Sequence, residues 1–290
     1  MKRGFWFACL LALVLLPLCA AKAEAADASE RAESADIRIM SYNILHPDWS
    51  HISVKGRDVL VADIFLRYRP DVAAIQEAGA KWHKALKPLL VDTGFYAPAC
   101  RQSNAEGFIY CTTTFLYNPQ TVRLLEEEIL DLEIRDATRV FSVAVFEKIK
   151  DGARFIVCNT HPAPSEDEPE KYTRNMADLT DLTVHVISQY AGLPVIIAGD
   201  FNTPEQSEQY LNYMRDAGVR DAKYAAETLV CGCSTYFGYQ VSPDPDSNDS
   251  CIDHLFVNDG ADVKLFNAII GHDVQNASDH IPIYADIALK

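Results

Sequence analysis

Six short apolar runs in this chain each end on, or open from, a residue carrying a carboxylate, a carboxamide or an imidazole. Residues 37–44 (IRIMSYNI) reach Asn43, residues 71–77 (DVAAIQE) end on Glu77, and residues 155–161 (FIVCNTH) end on His161. Residues 195–202 (VIIAGDFN) carry Asp200 and Asn202, residues 251–257 (CIDHLFV) hold Asp253 and His254, and Asp279 with His280 opens residues 281–289. Runs this short and this apolar read as strands buried on both faces, which requires cover above and below. Strand ends are where side chains leave a core for a cleft. Such a chain is therefore expected to be layered, with its polar chemistry gathered along one rim. Asp200 and Asn202 share a face if strand alternation continues through them, so the one-residue spacing aims both groups at one point.

The stretches between these runs complete the pattern. VLVADIFLRY places Leu60, Ile64 and Tyr68 at helical spacing, and residues 172–190 do the same with Leu179, Leu182, Val186 and Tyr190. Residues 115–117 form a short strand closed by Asn118-Pro119. Residues 139–148 and 154–160 suit two strands joined through the turn signal Lys150-Asp151-Gly152. Thr203-Pro204-Glu205-Gln206 predicts a helix start, with threonine as cap and proline in the first helical position. The sum is an α/β chain, rich in sheet, with two sheets covered by helices. At 290 residues and 49% hydrophobic, with no internal repeat and no Gly/Ser linker, one domain over residues 37–290 is the simplest division.

The N-terminus differs in kind. Lys2 and Arg3 precede an apolar stretch, Phe5 to Leu18, which is short for a membrane span, and Ala21-Lys22-Ala23 or Ala23-Glu24-Ala25 offers a small-x-small cleavage site. Residues 1–25 are read as an export signal and residues 26–36 as a flexible lead-in, so the expected location is secreted or periplasmic and the mature chain is expected to lack a transmembrane span. Leu18 beside Cys19 is bulky where a lipoprotein signal wants a small residue. Removing the signal takes away three basic residues and one acidic residue, moving the net charge from -15 to -17. A surface this acidic argues against a stable nucleic-acid partner, since tight binding to a polyanion rests on displacing its counterions with basic residues. A monomer is expected.

Six cysteines remain beyond the signal, and in an exported chain disulfides are the default. Cys100 and Cys111 flank a polar loop that a bridge would close. Cys251 is expected to pair with Cys231 or Cys233, a zinc site being disfavoured by the lack of a fourth ligand at suitable spacing. Cys158 lies within an apolar strand and reads as a buried thiol.

Glu77, Asp200 and Asp279, with the Asn43 carboxamide, are hard oxygen donors, the set that suits Mg²⁺, with Mn²⁺ as the alternative, and does not suit zinc. Histidines beside carboxylates add acid/base capacity near neutral pH. His46, His51, His83, His185 and His272 read as surface or packing residues, with His46 and His51 near the rim, and Glu126-Glu127-Glu128 and Glu166-Asp167-Glu168 as solvated faces. Together metal, imidazole and amide donors fit the stabilisation of a phosphorus centre under attack by water.

The same residues carry a family resemblance. Gln76-Glu77, Asn159-Thr160-His161, Gly199-Asp200-Phe201-Asn202, Ile252-Asp253-His254, and Ser278-Asp279-His280 followed by Ile281-Pro282 resemble, in order, the motifs of the endonuclease/exonuclease/phosphatase superfamily, the deoxyribonuclease I-like hydrolases. The resemblance spans residues 37–290. It implies a four-layer α/β sandwich, two central, mostly antiparallel (mixed) sheets flanked by helices, with the site between the sheet edges. It implies Glu77 as principal metal ligand with Asn43 and Asp279 nearby, Asp253 orienting His280, and Asp200 activating the attacking water. Asn202 would hold that water or steady the developing charge, and His161 and His280 would contact the phosphate. Arg139, 22 residues before His161, stands roughly where the family places a phosphate-binding side chain. In the deoxyribonuclease I branch a glutamate partners the first histidine, whereas this chain reads Cys111-Thr112-Thr113-Thr114 there, so the resemblance carries over one acid–histidine pair and not a second. No loop of basic and aromatic residues suited to gripping a DNA groove stands out.

The expected activity is that of an exported, Mg²⁺-dependent phosphoesterase using in-line attack by water. Its substrate would be a phosphate ester: nucleic acid, phospholipid head group or small phosphorylated metabolite. The alternatives are a nuclease of the deoxyribonuclease I type, a sphingomyelinase-like phospholipid hydrolase, and a non-catalytic binding protein retaining the fold.

Overall fold

The architecture follows from three parallel strand pairs set into otherwise antiparallel sheets. A computed structural model describes residues 30–101, 112–132, 139–165, 167–238 and 250–290. The expected export signal and the Cys111 end of the expected Cys100–Cys111 bridge lie outside these residues. In chain order the strands are β1 (Ile37–Asn43), β2 (Val72–Gln76), β3 (Ala97–Ala99), β4 (Thr114–Tyr117), β5 (Val122–Asp131), β6 (Val140–Lys148), β7 (Arg154–Thr160), β8 (Val195–Asp200), β9 (Arg220–Asp221), β10 (Thr228–Cys231), β11 (Asp253–Val257), β12 (Ala261–Ala268) and β13 (Ile283–Leu289). The helices are α1 (Pro47–Ser50), α2 (Arg57–Tyr68), α3 (Ala80–Leu86), α4 (Pro169–Gln189), α5 (Glu208–Ala217), α6 (Ala222–Ala225) and α7 (His272–Ala277).

Among the described residues a seven-stranded sheet runs β10-β12-β13-β1-β2-β4-β3 and a six-stranded sheet runs β5-β6-β7-β8-β11-β9. Each contains a parallel pair linked by a crossover helix: β1–α2–β2 in the first, β7–α4–β8 in the second. Parallel neighbours end on the same edge. Hence Asn43 lies opposite Gln76, and Thr160 opposite Gly199. The two mixed sheets packed within helices are the sandwich that the sequence leads one to expect.

Burial explains why the central strands are so apolar. Every residue of β1, β2, β8 and β11 is buried, because one face meets the other sheet and the opposite face meets helices. One cluster, including Ile39, Phe65, Ile75, Phe146, Phe155, Ile196 and Leu255, joins the sheets and the α2 side. A second, including Phe141, Ile156, Leu179, Ile197, Tyr213 and Phe256, lies under α4 and α5. Helix α4 turns Tyr172, Met176, Leu179, Thr183 and Val186 inward, one stripe of a 3.6-residue repeat. By contrast the edge strand β5 exposes Glu126, Glu127 and Glu128, charges that discourage edge-to-edge pairing. A buried ion pair also links paired strands: Arg38 Nε donates to Asp286 Oδ1 at 2.6 Å and Nη2 to Oδ2 at 2.8 Å, with the guanidinium 4.2 Å from the centre of the Tyr284 ring.

Two local expectations are corrected. Thr203 caps no helix: its hydroxyl bonds to Phe201 O and shares a hydrogen bond with Tyr172 Oη. The helix instead starts at Glu208, where Ser207 accepts from Tyr210 N, so the Pro204 segment forms a turn between strand and helix. The expected bridge from Cys251 to Cys231 or Cys233 is not formed. All three are thiols, and Cys251 Sγ donates to the Cys233 carbonyl oxygen at 3.1 Å. Cys158 is a fully buried thiol, its ionisation suppressed by burial.

Candidate active site

The cleft is built where both parallel pairs end. A cavity of about 430 Å³ is lined by Glu77, Arg139, His161, Asp200, Asn202, Asp279 and His280, with Tyr236, Asp167 and other residues around them. Asn43 and Asp253 sit immediately behind this surface, both buried. All nine residues singled out from sequence thus converge, although they come from separate segments of the chain. The register explains it: Asp253 on β11 pairs directly with Asp200 on β8, and antiparallel partners project to the same side.

His280 is held by Asp253. Its Nδ1 lies 2.8 Å from Asp253 Oδ2, which leaves Nε2 facing the cleft, 3.6 Å from Asp200 Oδ2. Ligand atoms of Asp200, Asp253 and His280 all lie within 4.8 Å of one another. Burial pulls the imidazole pKa down, but Asp253 and Asp200 outweigh it and push His280 up to about 10. Burial in turn raises the Asp200 carboxyl, against the pull of His280, which brings it toward neutrality. Asp200 therefore titrates where a base is useful, and His280 stays a cation.

Asp200 is fixed on both oxygens. Oδ1 accepts from Asn202 N at 2.9 Å and Oδ2 from Asn43 Nδ2 at 3.0 Å. Alternation along a strand is not what brings Asn202 beside it, since β8 ends at Asp200. Asn202 follows in a left-handed turn, φ 49°, closed by its own N–H on the Asp200 carboxylate. Its side chain then donates to Pro162 O at 3.0 Å. Gly199 is required just before: a Cβ there would lie 2.3 Å from Thr160 O, so only glycine lets β7 and β8 close.

Glu77 marks the end of β2 with another left-handed residue, φ 62°. A glutamate in this region carries a local cost of about 1–3 kcal/mol, sustained by surroundings that over-determine it. Here Asn43 Nδ2 donates to Oε1 at 3.0 Å and His46 N to Oε2. Asn43 therefore bridges Glu77 and Asp200, and its Oδ1 accepts from Leu45 N at 3.0 Å. Asp279 reaches the cleft one residue before His280; burial raises its carboxyl, with Glu77 adding to the effect.

His161 is buried with Nε2 3.4 Å from Asp200 Oδ2, and its Nδ1 has no hydrogen-bond partner among the described residues. Burial, Arg139 and His280 hold it well below the usual imidazole range, so it is neutral. The unpartnered Nδ1 matches the missing glutamate noted in the sequence. Arg139 Nη1 donates to His161 O and Pro162 O, both at 3.2 Å, which sets the guanidinium on the cleft wall.

His254 points away from the cleft. Its Nε2 meets Thr203 O at 2.8 Å, Nδ1 lies 3.4 Å from Asp221, and the ring packs by Phe201, Tyr210 and Phe256. With Glu205 and Asp221 it forms a second acid–histidine cluster, but Lys223 Nζ already bonds both Glu205 oxygens at 2.8 and 2.9 Å. That network anchors the turn after Asn202.

Sequence reasoning passed over several supporting residues. Thr235 Oγ1 accepts from the Ile252 and Asp253 amides, Ser278 Oγ donates to Asn43 O, and Gln76 Nε2 donates to Asn159 Oδ1 at 2.7 Å. Tyr236 also lines the cleft. Nothing in the local pattern marks Thr235 or Tyr236 for such roles; Gln76, Asn159 and Ser278 carried a signal through the motifs they share with Glu77, His161 and Asp279.

A model of the Endonuclease/Exonuclease/phosphatase family matches residues 40–280. No curated protein sequence matches the chain. Among solved structures, an endonuclease/exonuclease/phosphatase from Bacteroides vulgatus superposes with a TM-score of 0.72 at 18% identity, covering 88% of this chain and 99% of that one. The mannosyl-6-phosphatase of Bacteroides thetaiotaomicron gives 0.70 at 16% identity, covering 87% and 100%. TDP2 of D. rerio, complexed with a single-strand DNA product, gives 0.66 at 18% identity, covering 87% and 98%.

Proposed function

This chain belongs to the endonuclease/exonuclease/phosphatase family, whose members hydrolyse phosphoesters, and from the site it carries we propose that it is an exported, Mg²⁺-dependent phosphatase of small phosphate esters. The observation that carries the reading is the buried Asp200–His280–Asp253 constellation, set in one cleft with Glu77 and Asp279. The cleft has the volume of a small-molecule site, and Arg139 brings a guanidinium to its wall. With a net charge of -15, the protein is poorly suited to follow a polyanion. Similarity of fold to the mannosyl-6-phosphatase agrees with this, whereas similarity to TDP2 with its DNA product favours nuclease activity as the second reading.

The donor set fits a hard divalent cation. Glu77 and Asp279 turn carboxylates to the same cleft, and the raised Asp279 carboxyl reflects burial beside Glu77, an arrangement that a cation relieves. Asn43, expected as a ligand, instead presents its Nδ2 to Glu77 and Asp200 and would hold those carboxylates in place around the ion. When bound, Mg²⁺ supplies Lewis-acid polarisation of a phosphoryl oxygen. The chain's own residues do the rest. Asp200 takes a proton from water lying in line with the leaving group, and the Asn202 backbone holds Asp200 in register. His280, kept cationic by Asp253, donates through Nε2 to an equatorial phosphoryl oxygen as charge develops there. His161 and Arg139 hold the remaining oxygens, with Asn202 steadying the water. The water oxygen forms the new P–O bond, the ester P–O bond breaks, and the departing alkoxide takes a proton from solvent while Asp200 returns its own to solvent.

An activity panel under one metal condition tests this. Hexose phosphates, nucleotides, inositol phosphates, sphingomyelin, RNA and plasmid DNA are each incubated with Mg²⁺, with and without chelator. Release of inorganic phosphate from small esters, abolished by chelation and restored by added Mg²⁺, is the expected result. Turnover that persists in chelator rules out the proposed metal dependence, and cleavage of DNA alone transfers the case to the nuclease reading. For export, the mature N-terminus of protein recovered outside the cytoplasm should begin after Ala23 or Ala25; retention of Met1 on cytoplasmic protein rejects it.

A further inference from the structure

Tyr236 is the large ring at the cleft mouth, and its position is set by the catalytic histidine. Residues 235–237 pair with residues 279–281: Phe237 N donates to Asp279 O at 3.0 Å, Ile281 N to Thr235 O at 2.7 Å, and Tyr236 forms an antiparallel bridge with His280. Residues directly opposed in an antiparallel bridge project side by side. The two rings accordingly lie 4.9 Å apart at 50°. A further bond, Tyr236 N to Ser250 O at 3.1 Å, secures the same segment from its other side.

Everything about this ring contrasts with the buried groups beneath it. Tyr236 keeps 41% of its surface exposed while His280 keeps 5% and Asp200 2%. It therefore stands at the exposed rim of the cleft, packed against the buried His280 ring. The loop after β7 brings Ser165 and Asp167 to the lining of the same cavity. An ionised aspartate offers hydrogen-bond acceptors only, so it recognises hydroxyl or amine donors and repels a second phosphate. An aromatic face and such an acceptor lining one cavity match a saturated ring bearing hydroxyl groups, with the ring's carbon–hydrogen face on Tyr236 and its hydroxyls on Asp167.

We propose that Tyr236 is a specificity-determining residue and that the substrate is the phosphomonoester of a hydroxylated ring, a pyranose or cyclitol, stacked on Tyr236 with its hydroxyls toward Asp167 in the same cleft. This rests on the phosphatase reading and narrows it. The reaction consumes water and releases the free polyol and inorganic phosphate.

The test compares an aldohexose 6-phosphate, acyclic glycerol phosphate and a nucleoside 5′-monophosphate with Mg²⁺, in wild type, Tyr236→Ala, Tyr236→Phe and Asp167→Asn. Wild type should favour the hexose ester over glycerol phosphate in kcat/KM. Tyr236→Ala should lower that ratio roughly tenfold or more, mainly through KM on the hexose ester, the range expected when apolar contact is lost from a substrate pocket. Tyr236→Phe should retain the ratio, and Asp167→Asn should lower it. Because the ratio is independent of how much enzyme is folded, a partly unfolded variant still reports. Equal wild-type rates on hexose and glycerol esters, or a Tyr236→Ala ratio equal to wild type, overturns the proposal. A nucleotide faster than the hexose ester overturns the choice of a hydroxylated ring. Hydrolysis of the glycerol ester without a ring preference leaves the phosphatase reading standing and removes this one; hydrolysis of none removes both.

Discussion

Asp200→Ala is expected to lower kcat for phosphate-ester hydrolysis by about 10⁴-fold, the upper end of what a positioned acid/base group contributes. The magnitude follows from how many functions meet on one carboxylate. Asp200 sits 3.4 Å from His161 and 3.6 Å from His280, and it accepts from Asn43 and the Asn202 backbone. Its removal would take away the proposed base and the carboxylate that both histidines face. Asp200→Asn separates these effects, since the amide keeps the shape and loses the base. A rate for Asp200→Asn within a few-fold of wild type, measured by steady-state phosphate release, would defeat the assignment. KM should move little in either variant if the water proton is the group's target.

The second large effect belongs to His280 and the residue behind it. Replacing His280 by Gln should reduce kcat/KM by roughly 10³-fold, as when a donor to developing charge is removed. Asp253→Asn should cost less at neutral pH and should change the pH profile instead. Asp253 is the chief group raising the His280 pKa, followed by Asp200. If the cationic imidazole is the active form, activity falls as pH rises through that pKa. Neutralising Asp253 lowers the pKa, so the alkaline limb of kcat/KM must move to lower pH. A limb that stays in place, or moves upward, is incompatible with the orientation of His280 by Asp253.

The convergence of these side chains was legible in the sequence because strands buried on both faces leave polar residues only one place to be. Glu77, His161, Asp200 and Asp253 each interrupt or close an apolar run, and a polar group at such a position is either satisfied inside or delivered to a rim. Both outcomes occur: Gln76 and Asn159 bond each other in the interior, while their neighbours Glu77 and His161 emerge in the cleft. Errors came where local periodicity stopped. Alternation does not carry the two residues past Asp200 to Asn202, where a left-handed turn takes over, and the proline after Thr203 suggests a helix start four residues early. Cysteine spacing suggested a bridge at Cys251 that the fold does not form.

The sequence by itself determined the layering, the order of the strands that carry the motifs, and the identity of the groups along the rim, since each is written in a short apolar run with a polar end. What only the tertiary structure decided is which groups face one another. Asp253 reaches His280 across 27 residues, Asn43 reaches Asp200 across 157, and Tyr236 meets His280 through a single bridge between loops. Those distances depend on sheet register and on the parallel ends of two crossover units. Both are non-local, and no window along the chain contains them.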